Sequence, residues 1–347
     1  MTAAKPEYDA ILVLGFGGPE RQEDVIPFLE NVLRDRNVPR ARMLEVASHY
    51  EHFEGKSPLN DQMRALIAAL RPLLHSRRIH LPIYWGNRNW HPLLADTMRE
   101  MAAAGVHRAI CYVASAYSSY SGCRQYLEDI ERARAAVDPE ALQVDKLRVF
   151  YNHPRFIGAN AARLTAALEQ IAAEVRAAVH VAFTAHSLPL SQATSCQYEA
   201  QVRETCRLAA AEAGLDASQW RLVYQSRSGR PQDPWLGPDI GEYLRDVRAR
   251  SVREVIVMPI GFLSDHMEVV YDLDFEARRI CDEIGLTMVR AATVGTHPLF
   301  VQMIAELIEE RLSGNAARQA AGNSPAWPDA CPSGCCPPGA TARANPS

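Results

Sequence analysis

The chain has 347 residues and a formal net charge of −4, which argues against a nucleic-acid-binding protein, because such proteins usually carry a basic surface. Its length exceeds that of one ordinary compact domain and predicts two lobes of roughly 150 residues each. No run of about eighteen apolar residues occurs, and no secretory signal follows Met1, so we expect a cytoplasmic protein without a membrane anchor.

Short apolar runs alternate along the chain with longer segments whose apolar residues recur three and four positions apart. This alternation predicts an α/β fold of two similar Rossmann-like lobes, each with a parallel sheet flanked by helices. Strands are expected near residues 10–14, 81–85, 109–114, 147–151, 179–183, 220–224, 255–260 and 287–292. Amphipathic helices are expected over residues 61–74, 94–104, 161–178 and 275–284.

The pattern divides the chain into a first lobe at residues 1–155 and a second lobe at residues 156–314. From about residue 315 the composition shifts to Ala, Pro, Gly and Ser, with almost no large apolar residues. Such a segment cannot bury enough surface to order itself, so we expect residues 315–347 to form a flexible tail.

Polar residues follow the predicted strands at residues 15–19, 86–92, 184–189 and 261–268. In open α/β sheets, ligands bind beyond the carboxyl ends of the strands, so these four segments should converge on one cleft between the lobes. The glycines of the first segment miss the G-x-G-x-x-G spacing, because residue 20 is Glu. A nucleotide site is therefore only a minor alternative.

His186 follows a strand of almost wholly apolar residues. Its small and apolar neighbours favour the neutral imidazole, which can accept a proton or bind a metal. An isolated histidine in such a place is more often a core residue with one hydrogen bond. This alternative stays open on the segment alone.

Glu268, Asp272 and Glu276 are spaced by four residues, so on a helix they form one row of carboxylates. A solvated helix face is the commoner explanation, but such faces usually interleave Lys or Arg at the same spacing. A histidine and a glutamate with further carboxylates leading away suit a divalent metal that is held loosely and passed on. The same pair could take up the two N–H protons that a porphyrin releases on metallation.

The segments TAHSLP, QSR with PWLGPD, and PIGFLSDHMEVVYDLDFE resemble signature stretches of ferrochelatases, as do LGFGGPE, GKSPLNDQ and YWGNRNWHP. The resemblance extends over nearly all of residues 8–312. It implies chelatase-type lobes and a lyase that inserts Fe²⁺ into a porphyrin in haem biosynthesis. The family's catalytic, iron-binding histidine and glutamate match His186 and Glu268, and the acidic positions beyond them imply a proton or metal route through Asp272 and Glu276.

The resemblance also implies a porphyrin cleft in the first lobe, with a mobile segment over residues 46–62. The matching cleft positions are Phe16, Tyr50, Ser57 and Tyr126. Phe16 stands where related enzymes have Tyr, so the ring can stack on a macrocycle but offers no hydroxyl. Core packing is the open alternative for each aromatic residue. Basic residues that could pair with propionates are Lys56, Arg34, Arg36 and Arg88.

Cys331, Cys335 and Cys336 of the tail supply three thiolates, one fewer than a zinc site or a [2Fe–2S] cluster normally takes. Related ferrochelatases with such a tail have an internal cysteine after a Tyr-Ser pair, and Cys123 matches it. The resemblance implies a [2Fe–2S] cluster on these four residues, which would also pin the tail to the body. Zinc, or a disordered tail with free thiols, is the alternative.

The GFGGPE and YWGNRNWHP stretches together with the cysteine tail resemble actinobacterial ferrochelatases. This implies coproporphyrin III as the substrate and coproheme as the product, with protoporphyrin IX as the alternative. Rivals from other classes are a non-catalytic metal- or tetrapyrrole-binding protein and a cobalt or nickel chelatase. We expect a monomer whose partners are a porphyrin and ferrous iron, with neighbouring haem-pathway enzymes as further partners.

Overall fold

The computed structural model describes residues 7–34, 38–137, 142–228, 232–314 and 317–339. Within them, two four-stranded parallel sheets form the centres of two lobes. The first sheet has the order β2-β1-β3-β4, with strands β1 (Ala10–Gly15), β2 (Ile83–Asn87), β3 (Arg108–Val113) and β4 (Gln143–Lys146). The second has the order β6-β5-β7-β8, with strands β5 (His180–His186), β6 (Trp220–Gln225), β7 (Glu254–Met258) and β8 (Thr287–Arg290).

Helices connect these parallel strands and cover the sheets. The α-helices are α1 (Val25–Val32), α2 (Arg40–Glu51), α3 (Leu59–Ser76), α4 (Leu94–Ala103), α5 (Gln125–Ala135), α6 (Pro154–Leu168), α7 (Leu190–Ala193), α8 (Tyr198–Glu212), α9 (Ile240–Ala249), α10 (Met267–Val269), α11 (Arg278–Ile284) and α12 (Pro298–Ser313). Single 3₁₀ turns occur at Gln22–Asp24, Arg176–Ala178 and Ala217–Gln219. Two segments are π-helical, namely Tyr120–Arg124 and Val270–Ala277. None of the helices in the described ranges is long and apolar enough to cross a membrane.

Both faces of each sheet are buried. In β1, Ile11 and Val13 pack into a core that also contains residues of the second sheet, whereas Leu12 and Leu14 pack into a separate core of the first lobe. A parallel sheet covered on both faces has nearly continuous apolar strands. This explains why most of the strands, and the α/β fold itself, were predicted correctly.

The fourth strand of the first sheet lies elsewhere than predicted. The strand expected at residues 147–151 is wrong, because the chain pairs with β3 through β4, which ends at Lys146. β4 lies at the edge of the sheet, where partly exposed polar side chains are tolerated, so it has no apolar run to reveal it. Leu147, Val149 and Phe150 are buried in an irregular segment instead.

Two helices also begin or end at other residues than predicted. The helix expected at 161–178 is α6, which starts at Pro154 and already ends at Leu168. It starts earlier than predicted because proline suits the first turn of a helix, where no N–H partner is needed. The helix expected at 275–284 is π-helical up to Ala277 and α-helical beyond it.

The lobes share a core rather than standing apart. Ile110 of the first sheet and Ile256 of the second belong to one continuous cluster of buried residues. Helix α12, near the end of the second lobe, packs against α3 of the first. The lobe boundary between residues 155 and 156 stays a prediction.

The tail lies against the body over residues 317–339, although its composition led us to expect otherwise. Hydrogen bonds from buried side chains of the body hold it there. Asn152 Nδ2 donates to the carbonyl of Ser324 at 2.9 Å, and Arg148 Nη2 donates to that of Gln319 at 3.0 Å. Composition could not reveal this docking, because the acceptors are backbone carbonyls, which every residue supplies.

Candidate active site

His186 is the last residue of β5, at the carboxyl end of a central strand. Its Nδ1 lies 2.5 Å from the carbonyl oxygen of Ser187. Because a carbonyl only accepts, Nδ1 carries the hydrogen, and Nε2 of the neutral ring is free to accept a proton or bind a metal. A third of the side chain, 33%, stays exposed, so the ring is less desolvated than the apolar neighbours in the sequence suggest.

Glu268 meets His186 across a short gap. Its Oε1 lies 3.8 Å from Nε2 of His186, and 53% of the Glu268 side chain is exposed. Both groups therefore face the same open space, at the end of one strand and the start of helix α10. The sequence predicted this pairing, and the two side chains do lie together.

The carboxylates beyond Glu268 continue along the π-helix. Burial raises the pKa of Asp272 to about 7; hydrogen bonds from Ser226 and Gln225 oppose this rise, and the charges of Glu268 and Glu276 add to it. Burial also raises the pKa of Glu276. π-helices are rare overall but often occur at functional sites. Each of their turns contains more residues than a turn of an α-helix. The predicted row of acids is therefore present, but on a helix type that the sequence did not indicate.

Gln225 and Ser226 hold the acidic row in place, although neither was assigned a role from the sequence. Gln225 is buried and pairs with His186 in the sheet register. Its Nε2 donates to the backbone carbonyl of Glu268 at 3.2 Å and to Oδ2 of Asp272 at 3.1 Å. Ser226, with a φ of 60°, donates to the same oxygen of Asp272. One pair of neighbouring residues thus links the histidine strand to the π-helix.

A second imidazole lies beside the pair. Burial lowers the pKa of His266, and the nearby His186 lowers it further. The Glu268 carboxylate acts in the opposite direction and raises this pKa. The His266 ring packs edge-on against Phe262 at 5.0 Å between centroids. Its place two residues before Glu268 was the only signal in the sequence, and the sequence predicted no function for it.

Gly261 allows the two halves of the site to approach each other. Its N–H donates to the carbonyl of Thr184 at 2.9 Å. A Cβ at position 261 would lie 2.6 Å from the Cα of Ala185, which is closer than real side chains come to backbone. Glycine is the residue that permits such close approach of two backbones.

The first lobe contributes apolar residues opposite the pair. Tyr50 of α2 is buried, which raises its pKa, and the charge of Glu268 raises it further. Phe16 follows β1 with 38% of its surface exposed, and its ring packs edge-on against Phe28 at 6.3 Å. Met267 belongs to the same apolar cluster as Tyr50 and Phe28. The lobes therefore touch over the site in this conformation.

Ser57 and Tyr126 are both buried. Ser57 packs against Gly18, where an added Cβ would lie 2.8 Å from the Cβ of the serine. Tyr126 lies under the guanidinium of Arg88, 5.4 Å from the ring centroid. Tyr126 thus packs in the core, which was the alternative considered for each aromatic residue. Contacts of Ser57 or Tyr126 with a porphyrin stay predictions.

Three of the four basic residues proposed for propionates have other partners. Arg88 pairs with Asp129 at 2.7 Å, and both side chains are nearly buried, at 10% and 11% exposed, so Arg88 is not available to a ligand in this conformation. Lys56 pairs with Asp61 at 2.6 Å on the surface. Arg34 donates to a neighbouring asparagine, and Arg36 lies outside the described residues.

An aromatic seam joins α2 to the π-helix above the site. The rings of His49 and Tyr271 are parallel, with centroids 3.8 Å apart and an angle of 5° between their planes. Next to them, His52 and Phe275 pack at 4.8 Å. A planar macrocycle that enters between the lobes from this side must part these rings.

A model of the ferrochelatase family matches residues 8–312. The chain belongs to the ferrochelatase family. It is 52% identical to the ferrochelatase of Rhodopirellula baltica over 95% of this chain and 94% of the relative. It is 48% identical to the coproporphyrin III ferrochelatase of Nocardia farcinica over 95% of this chain and 97% of the relative.

Among solved structures, SirB from Bacillus subtilis with Fe³⁺ shares the fold, with a TM-score of 0.55. The two are 12% identical, and the match covers 89% of this chain and 97% of SirB. At this identity the likeness supports the two-lobed chelatase architecture alone. Together with the two parallel sheets, it confirms the predicted fold class.

In this ferrochelatase-family chain, the tail brings its thiols to the internal cysteine. Cys123 and Cys336 are buried, and Sγ of Cys335 lies 3.5 Å from Sγ of Cys336. The thiol of Cys123 donates to Cys331, which raises the pKa of Cys123 and lowers that of Cys331. The four cysteines named from the sequence are therefore neighbours in the fold.

Trp327 lies beside this group of thiols. Its indole Nε1 is buried and forms no well-aligned hydrogen bond with any described residue. After Cys123, its N–H is a further group that lowers the pKa of Cys331, which places the donor next to that sulfur. A buried N–H aimed at a thiolate is a common feature around metal-bound sulfur.

Across the described ranges, no three His, Cys, Asp or Glu side chains converge on one point in the way that a single metal ion requires. His186 and Glu268 together supply two metal ligands, one nitrogen and one oxygen. A [2Fe–2S] cluster distributes its four cysteines over two irons, so it does not need three ligands around one point.

Proposed function

We propose that the protein inserts Fe²⁺ into coproporphyrin III to form coproheme in haem biosynthesis. The approach of His186 Nε2 to Glu268 Oε1, two side chains of the second lobe that lie 3.8 Å apart, is the observation that carries this proposal. The substrate is supported by relatives named coproporphyrin III ferrochelatase in Nocardia farcinica and Streptomyces coelicolor, at 48% and 46% identity. Protoporphyrin IX is the less favoured substrate.

His186 acts as the proton acceptor in this proposal. Metallation of a porphyrin breaks two pyrrole N–H bonds while four nitrogens bind the metal. Because Nδ1 of His186 donates to Ser187, Nε2 has the free lone pair and faces the gap. Glu268 stabilises the imidazolium that forms, and general-base assistance of this kind contributes about 10²- to 10⁴-fold in rate.

Asp272 takes the proton onward from the pair. Its pKa of about 7 means that the carboxyl is partly protonated near neutral pH, so it can accept and release protons in turn. Glu276 lies further along the π-helix and is less buried. Protons leave the cleft along this row in the proposal.

Ferrous iron, the second substrate, is held weakly. One imidazole nitrogen and one carboxylate oxygen form an incomplete ligand set, and such mixed N and O donors suit a first-row divalent metal that must be released. Tight retention would compete with the four nitrogens of the macrocycle. The two-donor site therefore fits delivery rather than storage of iron.

The decisive experiment mixes the purified protein with Fe²⁺ and either coproporphyrin III or protoporphyrin IX without oxygen, and follows the absorbance of the free porphyrin. We expect turnover with both, and a higher kcat/KM with coproporphyrin III. Binding of porphyrin without turnover would favour a non-catalytic carrier. Turnover with Co²⁺ or Ni²⁺ on an earlier tetrapyrrole, but none with Fe²⁺, would favour another chelatase.

We also propose a [2Fe–2S] cluster held by Cys123, Cys331, Cys335 and Cys336. The clustering of these thiols supports it, and so does the otherwise unpartnered indole N–H of Trp327 beside Cys331. When bound, such a cluster supplies one-electron chemistry and a covalent tie between tail and body. The metallation steps above use neither.

The cluster is tested by its colour and metal content. We expect a visible absorption band and two irons per chain in the purified protein, both lost in Cys335→Ser. Ser333→Ala is the matched control, since that side chain is exposed in the same loop. A colourless protein with one zinc per chain would rule the cluster out in favour of a zinc site.

We further propose a cytoplasmic location, because none of the described cysteines forms a disulfide, as is usual in reducing compartments. A monomer, and contacts with neighbouring haem-pathway enzymes, are predictions from the sequence. Sedimentation of the purified protein tests the first directly. A stable dimer at micromolar concentration would contradict it.

A further inference from the structure

The far end of the described tail packs on a corner of the second lobe, which we call the α7–α8 corner and define as residues 190–198. Gly339 is buried there. A Cβ at position 339 would lie 2.6 Å from Cγ of Gln192 and 3.0 Å from Oγ of Ser191, so any larger residue must displace the Gln192 side chain. The tail and α7 are therefore in close van der Waals contact.

The tail also lies beside the other end of the corner. Gln197, the residue before helix α8, lines one groove together with Trp327 and Pro328 of the tail. Between these two places, burial raises the pKa of Cys196, and the nearby Cys335 thiol adds to the rise. The tail thus spans the whole corner.

The corner depends on such contacts because α7 is a single turn. A helix of four residues has no stability of its own in water. Apart from the tail, its first residue is tied to the body by the N–H of Leu190, which donates to the carbonyl of Pro234 at 3.0 Å. Loss of the tail would therefore remove packing contacts from a segment with little stability of its own.

The corner also holds the backbone of the proposed proton acceptor. The hydroxyl of Tyr198 donates to the carbonyl oxygen of His186 at 3.1 Å. Tyr198 is buried, and its ring packs edge-on against Tyr117 at 6.1 Å. The next carbonyl, that of Ser187, is the one that orients the imidazole through Nδ1. A shift of Tyr198 therefore moves the peptide from which the ring extends.

We propose that the tail clamps the α7–α8 corner and that Tyr198 is a positioning residue, which transmits the position of the corner to His186. The effect on turnover rests on the proposed function, whereas the clamp itself does not. Proton transfer requires heavy atoms within about 3 Å in the right orientation, so a small displacement of the imidazole is sufficient to slow it.

The clamp is tested first by amide hydrogen exchange of residues 187–198. Gly339→Val introduces a side chain that must displace Gln192 and so disturb the contact of the tail with α7, and Ser333→Val is the matched control at an exposed position of the tail. A chain that ends at Ser313 removes the tail altogether. We expect faster exchange in Gly339→Val and in the shortened chain, and no change in Ser333→Val.

Unchanged exchange at residues 187–198 in both Gly339→Val and the shortened chain would overturn the clamp, whether or not the protein is active. If the shortened chain does not fold, as circular dichroism would show, Gly339→Val decides alone. Absence of any metallation by the unaltered protein would instead overturn the proposed function and leave the exchange result to decide the clamp.

Transmission through Tyr198 is tested by a double-mutant cycle on metallation. Tyr198→Phe removes one hydrogen bond, and we expect a loss of about fivefold in kcat with the porphyrin KM unchanged. Gly339→Val should lower kcat similarly alone, but add little in the Tyr198→Phe background. Additive losses would show that the tail acts by another route and would overturn the role given to Tyr198.

Discussion

Gly261 lies so close to Ala185 that a Cβ on the glycine would be 2.6 Å from the Cα of the alanine. This contact joins the loop that leads to Glu268 with the strand that ends at His186. The distance of 3.8 Å between the two functional groups therefore depends on a backbone contact that contains neither of them.

Gly261→Ala should separate the pair. The added methyl meets backbone, which cannot move aside cheaply, so we expect a destabilisation of about 1–3 kcal/mol and a loss of at least about tenfold in turnover. Urea unfolding and the porphyrin absorbance assay measure these. Gly105→Ala is the control, since open space surrounds that position, and it should cost stability only. Normal turnover in Gly261→Ala would contradict the role of this contact.

Removal of either member of the pair should abolish most of the activity. We expect His186→Ala and Glu268→Gln each to lower kcat by about 10²- to 10⁴-fold, because general-base catalysis is lost in the first and the stabilising charge in the second. Glu283→Gln on the exposed surface of α11 serves as the control. A Glu268→Gln variant with nearly normal kcat would remove the glutamate from the proposed mechanism.

Asp272 should make the protein less stable as the pH rises. Its pKa is raised from 3.8 to about 7 in the folded state, so the folded chain binds a proton more tightly than the unfolded chain. The stabilisation is fully present below pH 3.8 and is lost as the pH rises towards about 7. Asp272→Asn should abolish this loss and gain on the order of 2 kcal/mol at pH 8.

Unfolding by urea at several pH values between 4 and 8 tests this prediction. The difference in unfolding free energy between Asp272→Asn and the unaltered protein should grow across that range. A constant difference would show that the Asp272 carboxyl titrates with an ordinary pKa.

The aromatic seam between α2 and the π-helix should slow the entry of the porphyrin. His49→Ala removes the ring that stacks on Tyr271 at 3.8 Å, so the lobes should part more readily and the association rate should rise severalfold. Stopped-flow quenching of porphyrin fluorescence measures that rate. Tyr271→Phe keeps the stacked ring and should bind nearly as the unaltered protein does. A slower association in His49→Ala would indicate that the histidine guides the ligand instead.

Glu310 should be essential for stability through Arg148. The Arg148 side chain is fully buried and pairs with Glu310 at 2.8 Å. Glu310→Ala leaves that charge buried and unpaired, which costs about 3–5 kcal/mol, whereas the double variant Arg148→Met with Glu310→Ala should recover much of the loss. Urea unfolding gives both values. A loss below about 1 kcal/mol in Glu310→Ala would mean that water reaches the guanidinium.

The pattern of apolar residues along the chain was sufficient to predict the two-lobed α/β fold, because parallel strands covered on both faces must be apolar throughout. It also predicted which loops meet at the candidate site, since ligands of such sheets lie at the carboxyl ends of the strands. His186 and Glu268 were proposed as a pair in this way, with the family resemblance supporting them, and the two side chains do lie together. Local composition and order along the chain contain this information.

The contacts between distant segments, in contrast, became visible in the folded chain alone. No local pattern in the sequence indicates three of these features, namely the polar edge strand β4, the pairing of Arg88 with Asp129 and the docking of the tail. Each of these features depends on the distant group that the fold places next to it. In the tail, the hydrogen-bond acceptors are backbone carbonyls, which all residues have. The close approach of Gly261 to Ala185 is of the same kind, because its cause is the space between two backbones rather than the character of either residue.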